Sequence, residues 1–211
     1  MKRLLTIQDI SCVGQCSTTV ALPLISACGV ECAIRPPALL SNHTAEGFKG
    51  WSFCDLTAEL PKVEAKWIEQ DIKFDAFYTG YVCESHIDPI LSIFRTCAKP
   101  DAVRIVDPAM ADDGSLYRGF AADFPEKMLK LCRGADYLLP NITEAALLTG
   151  EDAKTIGAWK SCQPRDVIER MIAIFVSMIL SSISSSFTFP AAPGIIPMTS
   201  FMDPIFLICS N

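Results

Sequence analysis

Arg104-Ile105-Val106-Asp107-Pro108-Ala109-Met110-Ala111-Asp112-Asp113-Gly114 is the stretch on which the fold turns. Val103, Ile105 and Val106, interrupted only by Arg104, read as a short buried strand. The run stops at Asp-Pro and passes into an acidic, turn-rich loop. In an open parallel α/β sheet, ligands sit just beyond the carboxyl ends of the strands, and Asp107, Asp112 and Asp113 are expected to project there. Carboxylate oxygens suit Mg2+, which often takes only one or two protein carboxylates and fills its shell with water and phosphate. Two readings stand side by side: a phosphate-handling site, and a solvated turn of ordinary turn-favouring residues.

Outward from this stretch, strands and helices alternate. Strands are expected over residues 4–10, 75–81, 102–106 and 135–139, and an extended segment over 31–40, where Pro36-Pro37 forbids a helix. Helices are expected over 18–28, 56–70, 87–99, 120–133 and 141–148, with one more beginning at Pro164. Gly29, Gly134 and Gly150 supply helix stops. In the 56–70 helix, Leu60, Val63, Trp67 and Ile68 take the apolar side, and Glu59, Lys62, Glu64 and Lys66 the water side. The alternation predicts an α/β fold: a mostly parallel central sheet flanked by helices.

The 211 residues are enough for one such domain, or for part of a larger one. A net charge of −6 argues against nucleic acid as the main partner, since phosphate-backbone binding needs a basic face. The ten cysteines are scattered, and Cys12/Cys16 and Cys28/Cys32 lack zinc-finger spacing, so structural thiols are expected. Gln8 and Asp9 cut the first apolar run too short for a secretory signal, which makes the cytoplasm the expected compartment.

The composition changes after Arg170. All 18 Lys and Arg lie in residues 1–170, whereas residues 171–211 hold one charged group, Asp203, and eight serines. A membrane span, a buried core helix and a lost reading frame compete to explain this tail. Serines dilute the first, and cations flank it on one side only. The frame loss is preferred, because the helix starting at Pro164 is amphipathic through Arg170 and then loses its polar face in mid-element. The chain is accordingly divided into residues 1–170 and an atypical tail over 171–211.

Further candidate site residues sit at other strand ends. Asn141-Ile142-Thr143-Glu144 follows a strand. It reads as a capping box, or as Glu144 holding Mg2+ through water with Asn141 on a phosphate or metal-bound water. Ser41-Asn42-His43-Thr44 is either a polar loop or a recognition segment for a polar aromatic substrate. Tyr81 is a core ring or a stacking platform for a flat heterocycle. Asp9, ending the first strand, needs a partner if buried.

In order, Gln8-Asp9, Leu40-Ser41-Asn42-His43-Thr44, Thr79-Gly80-Tyr81, Val106-Asp107-Pro108-Ala109-Met110-Ala111-Asp112 and Leu139-Pro140-Asn141-Ile142-Thr143-Glu144-Ala145 resemble the pyridoxal kinases of the ribokinase-like superfamily. The resemblance covers residues 3–170. Asp-Pro-x-Met-x-Asp and Pro-Asn-x-Thr-Glu also occur in the related hydroxymethylpyrimidine kinases, while Ser-Asn-His-Thr leans toward the pyridoxal branch. The resemblance implies ATP-dependent phosphorylation of the 5′-hydroxymethyl group of pyridoxal, pyridoxine or pyridoxamine, with Mg2+, in a homodimer. Asp9, Ser41, His43, Thr44 and Tyr81 would then bind the vitamin, although Asp9 replaces the Ser frequent after Gln. Asp107, Asp112, Asn141 and Glu144 would serve Mg-ATP, with Asp107 and Glu144 toward the metal and Tyr117 packing by the nucleotide. The late Gly-x-Gly-Asp of the family, which supplies an anion hole and a catalytic base, has no counterpart; the only Gly after Gly157 is Gly194. No catalytic residue is therefore assigned, and the C-terminal part of the fold is read as missing or replaced. The nucleotide sequence across codons 165–180 tests this. One inserted or deleted base near codon 171 should restore a frame encoding Gly-x-Gly-Asp, and an unbroken frame in independent isolates would refute it.

Overall fold

The computed structural model describes residues 1–44 and 48–150. The helix expected from Pro164, residue 170 and the tail over 171–211 lie outside them.

Among the described residues, five strands make the central sheet: β1 (Arg3–Ile7), β3 (Glu31–Ile34), β6 (Phe74–Thr79), β7 (Ala98–Val106) and β10 (Tyr137–Leu138), in the order β10-β7-β6-β1-β3 and all parallel. Five helices connect or follow them: α1 (Thr18–Ala27), α2 (Leu60–Glu69), α3 (Glu84–Thr96), α4 (Phe124–Cys132) and α5 (Ile142–Thr149). The mostly parallel α/β sheet expected from the sequence is present. Successive side chains of a strand point to opposite faces. Leu5 and Ile7 thus join Phe77, Ile90, Ile93, Phe94 and Met128 in the main core, while α1 packs on β1 and β3 through Ala21 and Ile25, which lie outside that cluster. An edge-to-face chain of rings runs Trp67–Phe74–Phe77, with centroids 5.1 and 5.8 Å apart, and ends on Phe94.

Chain order explains where a ligand can enter. The connection from β1 leads through α1 to β3 on one side, whereas the later strand β6 joins β1 on its other side. The strand order reverses between β1 and β6, and that reversal opens a crevice at their carboxyl ends. A smaller sheet stands beside it, made of β2 (Ile10–Ser11), β4 (Ala38–Leu40) and the antiparallel β5 (Phe53–Asp55). The strand expected over 4–10 is thus two strands, broken at Gln8-Asp9, and the extended 31–40 segment passes from β3 to β4 through Arg35-Pro36-Pro37.

Three other expectations are corrected. The helix over 87–99 ends at Thr96, because Ala98 pairs with Phe74 and Lys99 reaches Asp75 at 2.8 Å, drawing both residues into β7. The helix over 120–133 starts at Phe124, with Pro125 in its first turn, where a missing N–H is harmless. Glu64 does not face water. It is 7% exposed on the inner stripe with Leu60, and its Oε1 accepts from the hydroxyls of Ser92 (2.8 Å) and Thr96 (2.7 Å) on α3, while Ile68 points outward. The acidic loop after β7 is more ordered than expected. It forms a hairpin of β8 (Ala111–Asp112) and β9 (Ser115–Leu116), whose two turn residues, Asp113 and Gly114, have φ of 46° and 79°. That is the Asp-Gly turn that matches the twist of a two-residue hairpin.

Arg35 is a buried charge in this frame. It is 2% exposed, its guanidinium lies 5.8 Å from the Trp67 ring, and none of its three side-chain nitrogens has a hydrogen-bond partner among the described residues. Burial pulls its pKa down to about 10, against the opposing pull of the Glu64 charge. Replacing a poorly satisfied buried charge by an apolar group of similar length is commonly neutral to stabilising. Arg35→Met is expected to raise unfolding stability by about 1–3 kcal/mol in urea titrations. A clear loss would show that Glu64 depends on the guanidinium.

Candidate active site at the strand ends

The hairpin after β7 is fixed by one carboxylate. Glu144 sits in the first turn of α5, is 2% exposed, and accepts three backbone hydrogen bonds. Met110 and Ala111 donate to Oε1 at 3.0 and 3.4 Å, and Asn141 donates to Oε2 at 2.9 Å. Asn141 completes the capping box, accepting from the Glu144 N–H at 2.9 Å, and its side-chain amide donates to the Ala111 carbonyl at 2.7 Å. Thr143 Oγ1 accepts from Gly114 N at 3.0 Å. The motif is therefore a helix cap and, through its other contacts, a clamp on the hairpin that carries Asp112.

Asp107 stands at the end of β7, with its N–H on the Thr79 carbonyl at 3.0 Å. Desolvation, reinforced by the neighbouring Glu144 charge, pushes its pKa up to about 7, partly offset by a hydrogen bond from the Tyr78 hydroxyl. Burial likewise raises Glu144, despite the three amides that favour its charged form. Burial and the charges of Glu144, Asp112 and Asp107 raise the Tyr117 phenol to about 12. Asp107, Asp112, Tyr117 and Glu144, drawn from separate parts of the chain, are therefore one electrostatic neighbourhood.

A cavity of about 360 Å³ opens beside it. Asp9, His43, Thr44 and Tyr81 form one part of its lining, and Asp112 and Tyr117 another. Asp9 is 4% exposed and takes a hydrogen bond from the Ser11 hydroxyl at 3.3 Å, so the buried carboxylate has its partner. The loop over 11–17 lies against the smaller sheet: Cys12 N–H reaches the Leu40 carbonyl (2.9 Å), and His43 N–H reaches the Val13 carbonyl (2.8 Å). Gly14, at φ +82°, permits this, since a Cβ there would stand 2.9 Å from His43 Cβ. Gly80 serves similarly, because a Cβ would meet the Gln8 side chain at 2.5 Å. Tyr81 leans on Phe120, with ring centroids 5.3 Å apart, and burial raises its phenol to about 12.

Asp107, Asn141 and Glu144 do not line the cavity, nor does Ser41, whose hydroxyl bonds Asn42 Oδ1 and Ser52 N. The lining also includes Leu40 and Ala109 from the quoted motif stretches, and Ser11, Cys16 and Ser17 from the small, polar run over 11–17, which reads as a loop that lets a ligand approach the backbone. Trp51 and Arg118 carry no motif and reach the cavity only through the tertiary fold. Among the described residues no cluster of three or more His, Cys, Asp or Glu could enclose a metal ion. The donors present fit the sparser demand of Mg2+, for which one or two carboxylates suffice. Asp107 accepts a hydrogen bond from the Tyr78 hydroxyl, and both Glu144 oxygens accept backbone N–H groups.

A parallel sheet with its crevice at the β1/β6 reversal, an acidic loop after β7 and the Glu144-bearing helix after β10 defines the class: this chain has the ribokinase-like fold. No protein-family model and no curated protein sequence matches it. Its structural neighbours are pyridoxal kinases and a phosphomethylpyrimidine kinase. A putative phosphomethylpyrimidine kinase from Bacteroides thetaiotaomicron, in a crystal form with pyridoxal, is 31% identical, with a TM-score of 0.68 over 85% of this chain and 59% of that one. Pyridoxal kinase from Lactobacillus plantarum is 36% identical, with a TM-score of 0.67 over 72% of this chain and 54% of that one. Pyridoxal kinase from Leishmania donovani, in complex with ADP and pyridoxamine, shares the fold at 24% identity and a TM-score of 0.61, over 71% of this chain and 55% of that one. The chain thus spans 54% to 59% of the length of these proteins.

The raised Asp107 has a signed consequence. Its pKa of about 7 in the fold lies above the ordinary value of about 3.9. The native state therefore holds the proton more tightly, and stability should fall as pH rises from about 4 to about 7, then level off. Asp107→Asn should remove that part of the slope and raise the melting temperature at pH 8 relative to wild type. Parallel pH profiles of the two proteins would refute the assignment.

Proposed function

We propose that this chain is the N-terminal part of a pyridoxal kinase, built to bind a B6 vitamer and Mg-ATP for phosphoryl transfer to the 5′-hydroxymethyl group. The observation that carries the reading is the cavity in which Asp9, His43, Thr44 and Tyr81 meet Asp112 and Tyr117. Asp9, His43 and Thr44 offer hydrogen bonds to the ring substituents of the vitamin, and Tyr81 offers a flat face. Ser41 supports the same loop from outside the cavity through its bonds to Asn42 and Ser52.

On the nucleotide side, Asp107 would hold Mg2+ directly and Glu144 through water, with Asn141 keeping the hairpin in register. Asp112 and Tyr117 would face the nucleotide. The ion would neutralise charge on the triphosphate, and the remaining demand is positioning, which suits a transfer with little covalent work for the protein. The sequence contains no Gly-x-Gly-Asp. In this reading turnover by the chain is lowered by orders of magnitude while binding persists, since base and anion hole act in the transition state. The tail over 171–211 is proposed to be out of frame, and the whole kinase to be a cytoplasmic homodimer. Among the described residues no helix is long and apolar enough to cross a membrane, and the tail on which a membrane-tethered remnant would depend lies outside them.

The Bacteroides neighbour, a putative phosphomethylpyrimidine kinase in a crystal form with pyridoxal, favours a second reading: a hydroxymethylpyrimidine kinase. Trp51 in the cavity lining provides the test. Pyridoxal should quench the part of the fluorescence that Trp51→Phe abolishes, saturating between about 1 μM and 1 mM, the usual range for enzyme substrates. Tighter binding of hydroxymethylpyrimidine would select the second reading. Quenching by neither compound would refute both.

A further inference from the structure

We propose that Arg118 is a specificity-determining residue of this site, binding the terminal phosphoryl oxygens of the nucleoside triphosphate. The inference rests on the kinase reading above and adds a residue that no motif points to. Among the described residues, Arg118 brings the only fixed positive charge to a cavity lining that also carries the carboxylates of Asp9 and Asp112. It makes no ion pair and no hydrogen bond with any described residue, so its guanidinium is not consumed by the acids around it.

The backbone around it is held. The Tyr117 N–H bonds the Met110 carbonyl at 2.8 Å, and the Phe120 N–H bonds the Tyr117 carbonyl at 3.2 Å, closing a turn over Tyr117-Arg118-Gly119-Phe120. Gly119 has φ +101°, as the third position of a type II turn requires. Phe120 is anchored in turn by stacking on Phe124, with centroids 4.1 Å apart and planes at 7°, and by its contact with Tyr81. Arg118 thus stands at the crown of a turn pinned at both ends and lines the cavity next to Tyr117.

Chemistry narrows the ligand. The acids of the site can hold a metal, but they repel phosphate oxygens, so oxygens the metal does not cover need a cation of their own. A guanidinium presents paired N–H donors whose spacing matches two oxygens of one phosphoryl group, which an ammonium does not. Arg118 follows the hairpin that carries Asp112 and adjoins Tyr117, on the nucleotide side, yet lines the same cavity as Asp9 and Tyr81. The phosphoryl group that must reach the vitamin hydroxyl is the terminal one, and a residue shared by both sides is suited to that group rather than to the α- or β-phosphate.

Calorimetric titration of the full chain in Mg2+, with the β,γ-imido analogue of ATP, with ADP and with pyridoxal, tests this. Arg118→Ala should weaken the triphosphate analogue by about tenfold or more, the scale of a charge-assisted bidentate contact. ADP and pyridoxal affinities should change by less than about threefold, and Arg118→Lys should recover only part of the loss. Arg118 is exposed, so the fold should be unchanged, which circular dichroism and intact pyridoxal binding by the variant would confirm. Unchanged analogue binding by Arg118→Ala would overturn the proposal and leave the kinase reading standing. So would an equal loss for ADP and analogue, or a loss confined to pyridoxal. Failure of the wild-type chain to bind either nucleotide would instead refute the kinase reading itself, and the proposal with it.

Discussion

A carboxylate that accepts three backbone N–H groups holds this site together. Glu144 joins the start of α5 to the loop after β7, and through that loop sets the positions of Asp107 and Asp112. The bonds are charge-assisted and buried, hence stronger than ordinary amide contacts. They are also the reason the site tolerates its own repulsion. Asp107 and Tyr117 are both pushed upward in part by the Glu144 charge, so the fold keeps acids together that would separate if their supports were free. The gathered acids therefore cost stability, which the proposed role toward a cation would offset.

The second constraint is topological. Because β3 and β6 flank β1 on opposite sides, the chain diverges above β1 and leaves a crevice there. The smaller sheet and the 11–17 loop wall one side of the cavity, and the hairpin after β7 contributes to the other. Two glycines make the walls fit. Gly14 lets its loop lie against His43, and Gly80 leaves room for the buried Gln8 side chain. Gln8 and Gly80 have motif character for a packing reason before any catalytic one.

The sequence carried the order of elements because apolar periodicity and glycine or proline stops are local signals, although β3 is shorter than the expected 31–40 segment and β7 starts earlier than the expected 102. It misplaced the end of α3 and the face of Glu64 for a shared reason. Ala98 leaves the helix because Phe74 offers a sheet partner, and Glu64 is drawn inward by two hydroxyls on a different helix. Neither partner is near in sequence. The Asp113-Gly114 hairpin is different, since its signal was present in the sequence and was read only as a turn.

For the site, the residue types and their position after strands were local information: Asp107 after one strand, Asn141 and Glu144 after another, Asp9 after the first. What the sequence by itself determined was therefore the α/β class and the acids at the strand ends, since strand periodicity and capping chemistry act over a few residues. Only the tertiary structure decided which of those acids open into the cavity and which brace the hairpin from behind. It also brought Trp51 and Arg118 to the same lining. Such placement depends on sheet order and on hydrogen bonds spanning some thirty positions of chain, such as Met110 to Glu144, and no local pattern encodes contacts at that separation.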